Sequence, residues 1–157
     1  MSRKKRKLAK RDIQPDLKYN SSLLMKFINK VMIGGKKSVS EKIVYGSLEK
    51  LEKKLNINGL DAFNKSLQLV CPKMEVKSRR VGGATYQVPV QVSKERAQAL
   101  AMRWIIANAR KRKSKSMIDK LYDELHDSYN ETGTSIKKKI DTHKMAEANK
   151  AFSHFRF

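Results

Sequence analysis

Residues Met74–Val92 read MEVKSRRVGGATYQVPVQV, and their period differs from that of the rest of the chain. Met74 and Val76 alternate with Glu75 and Lys77. Tyr86, Val88, Val90 and Val92 alternate with Gln87, Pro89 and Gln91. A period of two marks a strand with one covered face. Gly82-Gly83 lies between the two runs, and glycine accepts the positive φ of a two-residue hairpin turn. The spacing therefore predicts a β-hairpin. No other strand-like run exists in the sequence, so the hairpin has no sheet to join. Both its strands are edges, which is why Pro89 is tolerated. An isolated ribbon is marginal in water, so the expectation is an arm that projects from a helical body and is held by a partner.

On both sides of this stretch the period is helical. From Ser21 onward, Leu23, Leu24, Phe27, Ile28, Val31 and Met32 form one apolar stripe, stopped by Gly34-Gly35. Ser38 is expected to open the next helix through a capping box closed by Glu41, with Val44, Leu48, Leu51 and Leu55 on one face. Asn58 can cap a third helix, with Asp61 in its first turn, a stripe of Leu60, Phe63, Leu67 and Val70, and Pro72 as its end. Beyond the hairpin, Ser93 opens a helix with Ala97, Leu100, Ala101, Trp104 and Ile105 on one face. Ala99, Met102 and Ile106 cover much of the other, and a helix apolar nearly all round is a central one. Its exception is a row, Arg96, Arg103 and Arg110, seven residues apart and nearly aligned. Ser116, with Asp119 three residues on, starts a helix whose Ile118, Leu121, Tyr122, Leu125 and Tyr129 face inward. Asp119, Asp123, Glu124 and Asp127 make it the acidic surface, a candidate for a protein-facing or solvent-facing side. Gly133 breaks the chain, and a last helix is expected from about Ser135 to Lys150.

The fold class is thus mainly α: a bundle of about six helices with one protruding β-hairpin arm and basic terminal tails. Residues 1–157 form a single domain, with a basic N-terminal tail at 1–15, the arm at 73–92 and a C-terminal tail at 150–157.

Charge bounds the function. The 157 residues hold 36 Lys and Arg against 15 Asp and Glu, a formal net charge of +21, and 39% are apolar. That apolar share is below the ~45–50% of soluble domains, and self-repulsion at such a charge opposes compactness until a polyanion neutralises it. Nucleic acid and anionic lipid are the natural polyanions. No run approaches the ~20 apolar residues that span a bilayer, and no apolar core follows the basic start as in a secretory signal. The single cysteine, Cys71, excludes an internal disulfide and suggests a reducing compartment.

The cations sit where they would not disturb a core. Arg3, Lys4, Lys5, Arg6, Lys7, Lys10 and Arg11 form an acid-free block that cannot fold alone and reads as an interaction tail. A solubilising tail is the plainer alternative; a transit peptide would be Ser-rich and amphipathic. Lys36-Lys37 lies between helices, Lys77, Arg79 and Arg80 on the arm, and Arg110, Lys111, Arg112, Lys113 and Lys115 along one helix end and loop. Lys137–Lys139 taken alone suits a solvated face. Together this uneven charge is the footprint of phosphate binding. Arg79 and Arg80 near a ribbon tip could enter a groove. Tyr86 could stack on a base or pack across the strands. Trp104 reads as core.

Catalysis has little support. Cys71 has no His near it in sequence and reads as a small buried residue. His126, His143 and His154 lack metal-binding spacing. Gly34-Gly35-Lys36-Lys37-Ser38 fails as a phosphate loop: Lys30 stands where its first Gly belongs, Lys37 where Ser or Thr should follow, and a helix precedes it instead of a strand. No catalytic residue, metal or cofactor is expected.

Four stretches carry a resemblance. They are Ser21, Leu23, Phe27-Ile28, Gly35-Lys36-Lys37, Ile43-Val44 and Ser47; Met74 through Val90; Arg103-Trp104 through Arg110; and His143 through Arg156. Over nearly its whole length the chain resembles the universal small-subunit ribosomal protein family number seven, in its bacterial and organellar form. Phe157 stands where that family suggests Trp, and the N-terminus is more Lys-rich. The resemblance implies a non-enzymatic protein that binds the 3′ major domain of small-subunit rRNA and nucleates assembly of the head, near the decoding region. It implies rRNA contacts through the basic N-terminus, Lys36, Lys37, Lys77, Arg79, Arg80, the Arg96/Arg103/Arg110 edge and the 111–115 loop. It places the arm, with Arg79, Arg80, Gly82, Gly83 and Tyr86, near exit-site tRNA. It also implies mRNA nearby, ribosomal proteins nine and eleven as neighbours, and a home in a bacterial or organellar ribosome such as that of a plastid. The rivals are a DNA-architectural protein, which would need an apolar wedge at the Gly82-Gly83 tip, and an RNA-modifying enzyme, which would need a site the sequence does not show.

Overall fold

Ser21 has extended backbone and its hydroxyl accepts the Leu24 N–H at 3.3 Å, so α1 (Ser22–Val31) begins where the sequence places it. The computed structural model describes residues 13–155. Leu24, Phe27 and Ile28 of α1 are fully buried. The chain then turns through Gly34 and Gly35, both at positive φ, into α2 (Lys37–Leu55). The expected capping box at Ser38 is not formed. The Ile33 carbonyl accepts the Lys36 N–H at 3.3 Å and the Gly35 carbonyl the Lys37 N–H at 2.8 Å. This turn delivers a chain already helical at Lys37, so Ser38 lies inside the first turn. Glu41 faces Lys37 instead, at 3.8 Å.

The body of α2 buries Val44, Leu48 and Leu51 completely. Asn58 caps α3 (Gly59–Val70) through its side-chain oxygen, 2.8 Å from the Leu60 N–H, and the helix ends at Cys71, before Pro72. Phe63 of α3 meets Phe27 of α1 with ring centroids 5.0 Å apart, within the range of favourable aromatic pairs.

The hairpin follows as β1 (Met74–Val81) and β2 (Ala84–Gln91), antiparallel, with Val81 opposite Ala84 and Val76 opposite Pro89. Gly82 and Gly83 have φ of 57° and 88°, the primed geometry that matches strand twist. Among the described residues β1 and β2 are the only sheet. The arm is not a free projection, however. Glu75, Val88 and Pro89 are buried where its base packs on α6 (Gly133–Ala148), and Tyr86 packs on the 3₁₀ helix Lys150–Phe155. The chain's own C-terminal region supplies much of the support that the sequence assigned to a partner.

Central α4 (Lys94–Lys111) touches α1, α3, α6 and α5 (Met117–Tyr129). It buries Ala97, Ala101, Met102, Ile105, Ile106 and Ala109, while Leu100 and Trp104 are half-buried at its margin. Ser93 stands at its N-terminus without a side-chain capping bond. Ser116 does cap α5, accepting the Asp119 N–H at 3.2 Å. α6 starts two residues before Ser135, because Gly133 at φ 86° aims the first turn so that Thr134 and Ser135 reach Glu124. It also ends at Ala148, so Lys150–Phe155, expected as a tail, is a folded 3₁₀ helix.

Candidate nucleic-acid interface

The acids of α5 explain where the cations are. Glu124 is 0% exposed. It accepts the Arg112 guanidinium at 2.7 Å, the Ser135 N–H at 3.1 Å, and the hydroxyls of Ser135 and Thr134. Asp127 holds the same guanidinium at 2.5 Å, Asp123 accepts the Ser114 hydroxyl at 2.6 Å, and Asp119 pairs with Lys50 and accepts the Ser116 hydroxyl. The acidic surface expected from sequence is therefore a network, buried at Glu124 and open to solvent at Asp119, that joins α5 to α2, α6 and the loop after α4. Arg112 belongs to that network. Burial opposes its charge, but the hydrogen bonds it donates to Asp127 and Glu124 prevail and raise its pKa.

A second carboxylate, Glu75 of β1, is also buried. Arg96 lies 2.7 Å from it and Lys77 3.4 Å. The hydrogen bond from Arg96 holds the Glu75 carboxyl below its usual range against the opposing effect of burial. The aligned arginine row thus divides: Arg96 ties α4 to the arm, while Arg103 and Arg110 are exposed and line a cleft with Lys30 of α1.

On the arm, Arg80 is exposed and Lys77 reaches solvent beside Glu75. Arg79 is half-buried and donates to the Phe155 carbonyl at 2.8 Å. Gly82 and Gly83 form the exposed tip. Tyr86 neither lies open to a base nor packs only across the strands. Its ring sits 5.3 Å from Phe152 and 4.9 Å from Phe155, centroid to centroid. Sequence reasoning missed these two partners; their three-residue spacing in a C-terminal aromatic run was the available signal, since residues three apart eclipse on a 3₁₀ helix.

Lys36, Lys37, Lys111, Lys113 and Lys115 are exposed. Among the described residues Lys36, Arg80, Arg103, Lys111, Lys113 and Lys115 face no carboxylate within salt-bridge distance. Lys139 serves a different end: its ammonium donates to the Leu69 carbonyl at 2.8 Å, satisfying the C-terminal turn of α3. Arg3, Lys4, Lys5, Arg6, Lys7, Lys10 and Arg11 lie outside the described residues.

The remaining polar groups have structural partners. Burial, with Lys139 and Lys73 adding to it, holds the His143 imidazole below its ordinary pKa, and its Nε2 accepts the Lys73 N–H at 2.9 Å. Burial pushes the Cys71 thiol up. No group of three or more His, Cys, Asp or Glu that could hold a metal occurs among the described residues, and none of their helices is long and apolar enough to cross a membrane.

A family profile described as ribosomal protein S7p/S5e matches residues 2–150. The chain is 55% identical over 158 residues to the small ribosomal subunit protein uS7 of Borrelia hermsii, with the full length of both covered. It is 56% identical to the proteins of that name from Rhodospirillum centenum, over 157 residues, and Francisella tularensis subsp. holarctica, over 158, again at full coverage of each chain.

Proposed function

The chain belongs to the ribosomal protein S7p/S5e family, and from that premise we propose that it binds the 3′ major domain of small-subunit rRNA and nucleates assembly of the head. Its coarse role is that of a structural constituent of the small ribosomal subunit. On this reading the arm tip approaches exit-site tRNA, with mRNA nearby and ribosomal proteins nine and eleven as neighbours. The contacts are phosphate contacts made by Lys36, Lys37, Arg80, Arg103, Arg110, Lys111, Lys113 and Lys115. Lys77, Arg79, Arg96 and Arg110 combine such contact with their internal bonds, while Arg112 is engaged by Glu124 and Asp127.

One observation carries the proposal: buried Glu75 and Glu124 are each paired with cations, while exposed Lys36, Arg80, Arg103, Lys111, Lys113 and Lys115 face no carboxylate within salt-bridge distance among the described residues. An unneutralised cationic surface on a chain of net charge +21 has a polyanion as its complement.

The test is a salt titration of the full chain binding a transcript of the 3′ major domain. Arg80→Ala with Arg103→Ala is expected to weaken binding and to flatten log K against log salt by roughly one unit per lost phosphate contact, or somewhat less. An unchanged slope excludes phosphate contact by these two residues. Tighter binding to duplex DNA than to the transcript would favour the DNA-architectural reading instead.

A further inference from the structure

Between the α1–α2 turn, the first turns of α2 and the end of α4 lies a cleft of about 530 Å3. Its floor is apolar, from Val31, Met32, Ile33, Val39, Ile43 and Met117, and Lys36 and Arg110 stand among its walls. Ile33 is 68% exposed and Val39 50% exposed. Large aliphatic side chains left open together on a surface mark an interaction site. Arg110 is held there, since its guanidinium donates to the Val31 carbonyl at 3.2 Å. The same Arg110 also walls the adjoining cleft with Lys30 and Arg103. Among the described residues no acidic side chain lines either cleft.

An apolar floor beside four cations, Lys30, Lys36, Arg103 and Arg110, with no acid among the described residues, complements one chemical object: an unstacked nucleobase with its flanking phosphates. A protein partner would need an apolar segment that also carried negative charge, and a duplex would present no base face to Ile33 and Val39. We infer that this cleft is a receptor for an unpaired nucleotide of RNA, the base seated on Ile33, Val39 and Ile43 and its phosphates on Lys36 and Arg110. The inference rests on the RNA-binding reading above and deepens it from phosphate contact to recognition of a single-stranded site, the usual target of sequence-selective RNA binding.

The test separates the two readings. Ile33→Ser with Val39→Ser, in the full chain, alters only side chains that are already half exposed or more. Binding to the 3′ major domain transcript is expected to weaken about three- to tenfold at every salt concentration, on the scale of a partial loss of base contact. The salt slope stays unchanged, because no phosphate contact is removed, and one unpaired nucleotide gains chemical reactivity. Val39→Leu keeps native affinity. Unchanged affinity and an unchanged protection map, with Arg80→Ala/Arg103→Ala still weakening binding, would overturn the cleft assignment and leave the RNA reading standing. A native chain indifferent to the transcript would overturn both. A photo-crosslinking group placed at position 39 in assembled subunits is expected to capture RNA; capture of a ribosomal protein instead would also overturn the assignment.

Discussion

Arg112 and its neighbours Lys111 and Lys113 are nearly equivalent as sequence, three cations in a row, yet they occupy different physical states. Arg112 is shared by Glu124 and Asp127, whereas Lys111 and Lys113 face solvent. Removing one partner of a buried pair strands the other charge away from water, which costs about 3–5 kcal/mol. Because Thr134 and Ser135 still donate to Glu124, Arg112→Ala is expected to destabilise the fold at the low end of that range, about 3 kcal/mol, read from urea unfolding. Its salt slope on rRNA is expected to match the native chain. Lys111→Ala with Lys113→Ala should reverse the pattern, with unfolding within about 0.5 kcal/mol of native and a flatter slope. A flatter slope for Arg112→Ala would show that it contacts phosphate after all. The same scale explains Lys139, whose helix-capping bond to Leu69 could not be foreseen from a run of three lysines.

The hairpin and the 3₁₀ helix form a unit at the scale of elements. A two-stranded ribbon is marginal alone. Here the base is covered by α6 and the middle by Phe152 and Phe155 on Tyr86, with Arg79 bonded to the Phe155 carbonyl. Each aromatic pair contributes about 0.5–1.5 kcal/mol beyond its buried area. Phe152→Ala with Phe155→Ala is therefore expected to raise amide exchange in the hairpin around Arg79 and Tyr86 by roughly tenfold, while exchange in α1 to α4 stays native. Native exchange in the hairpin would mean that the contact with α6 suffices to hold the arm.

The whole molecule carries its excess of cations on the surface, pairs the buried carboxylates of Glu75 and Glu124 with arginines, and has a hydrophobic core in which Phe27, Phe63, Leu48, Ile105 and Leu121 are completely buried. Residues 1–11 add seven cations and no acid to a chain of net charge +21. Their deletion is expected to leave the helical circular dichroism unchanged, because the core lies in α1 to α6, and to lower rRNA affinity and its salt slope together. Loss of helical signal would make this segment part of the fold rather than an interaction tail.

Sequence alone determined the elements whose signals are local. The alternation of Met74 to Gln91 with Gly82-Gly83, the stripes of α1 and α3, and the caps at Ser21, Asn58 and Ser116 each depend on residues within a few positions of one another, so periodicity and turn chemistry suffice. The excess of cations off those stripes was equally legible, since it needs only a count and a helical wheel. Tertiary structure decided which cations remain outside and what holds the arm. Glu124 lies 12 residues from Arg112, Glu75 lies 21 from Arg96, and Arg79 lies 76 from Phe155. Burial turns such charges from solvated into committed ones, and burial arises from packing between elements that no local pattern encodes. The fold class was thus fixed by short-range periodicity, and the division of its charges by long-range desolvation.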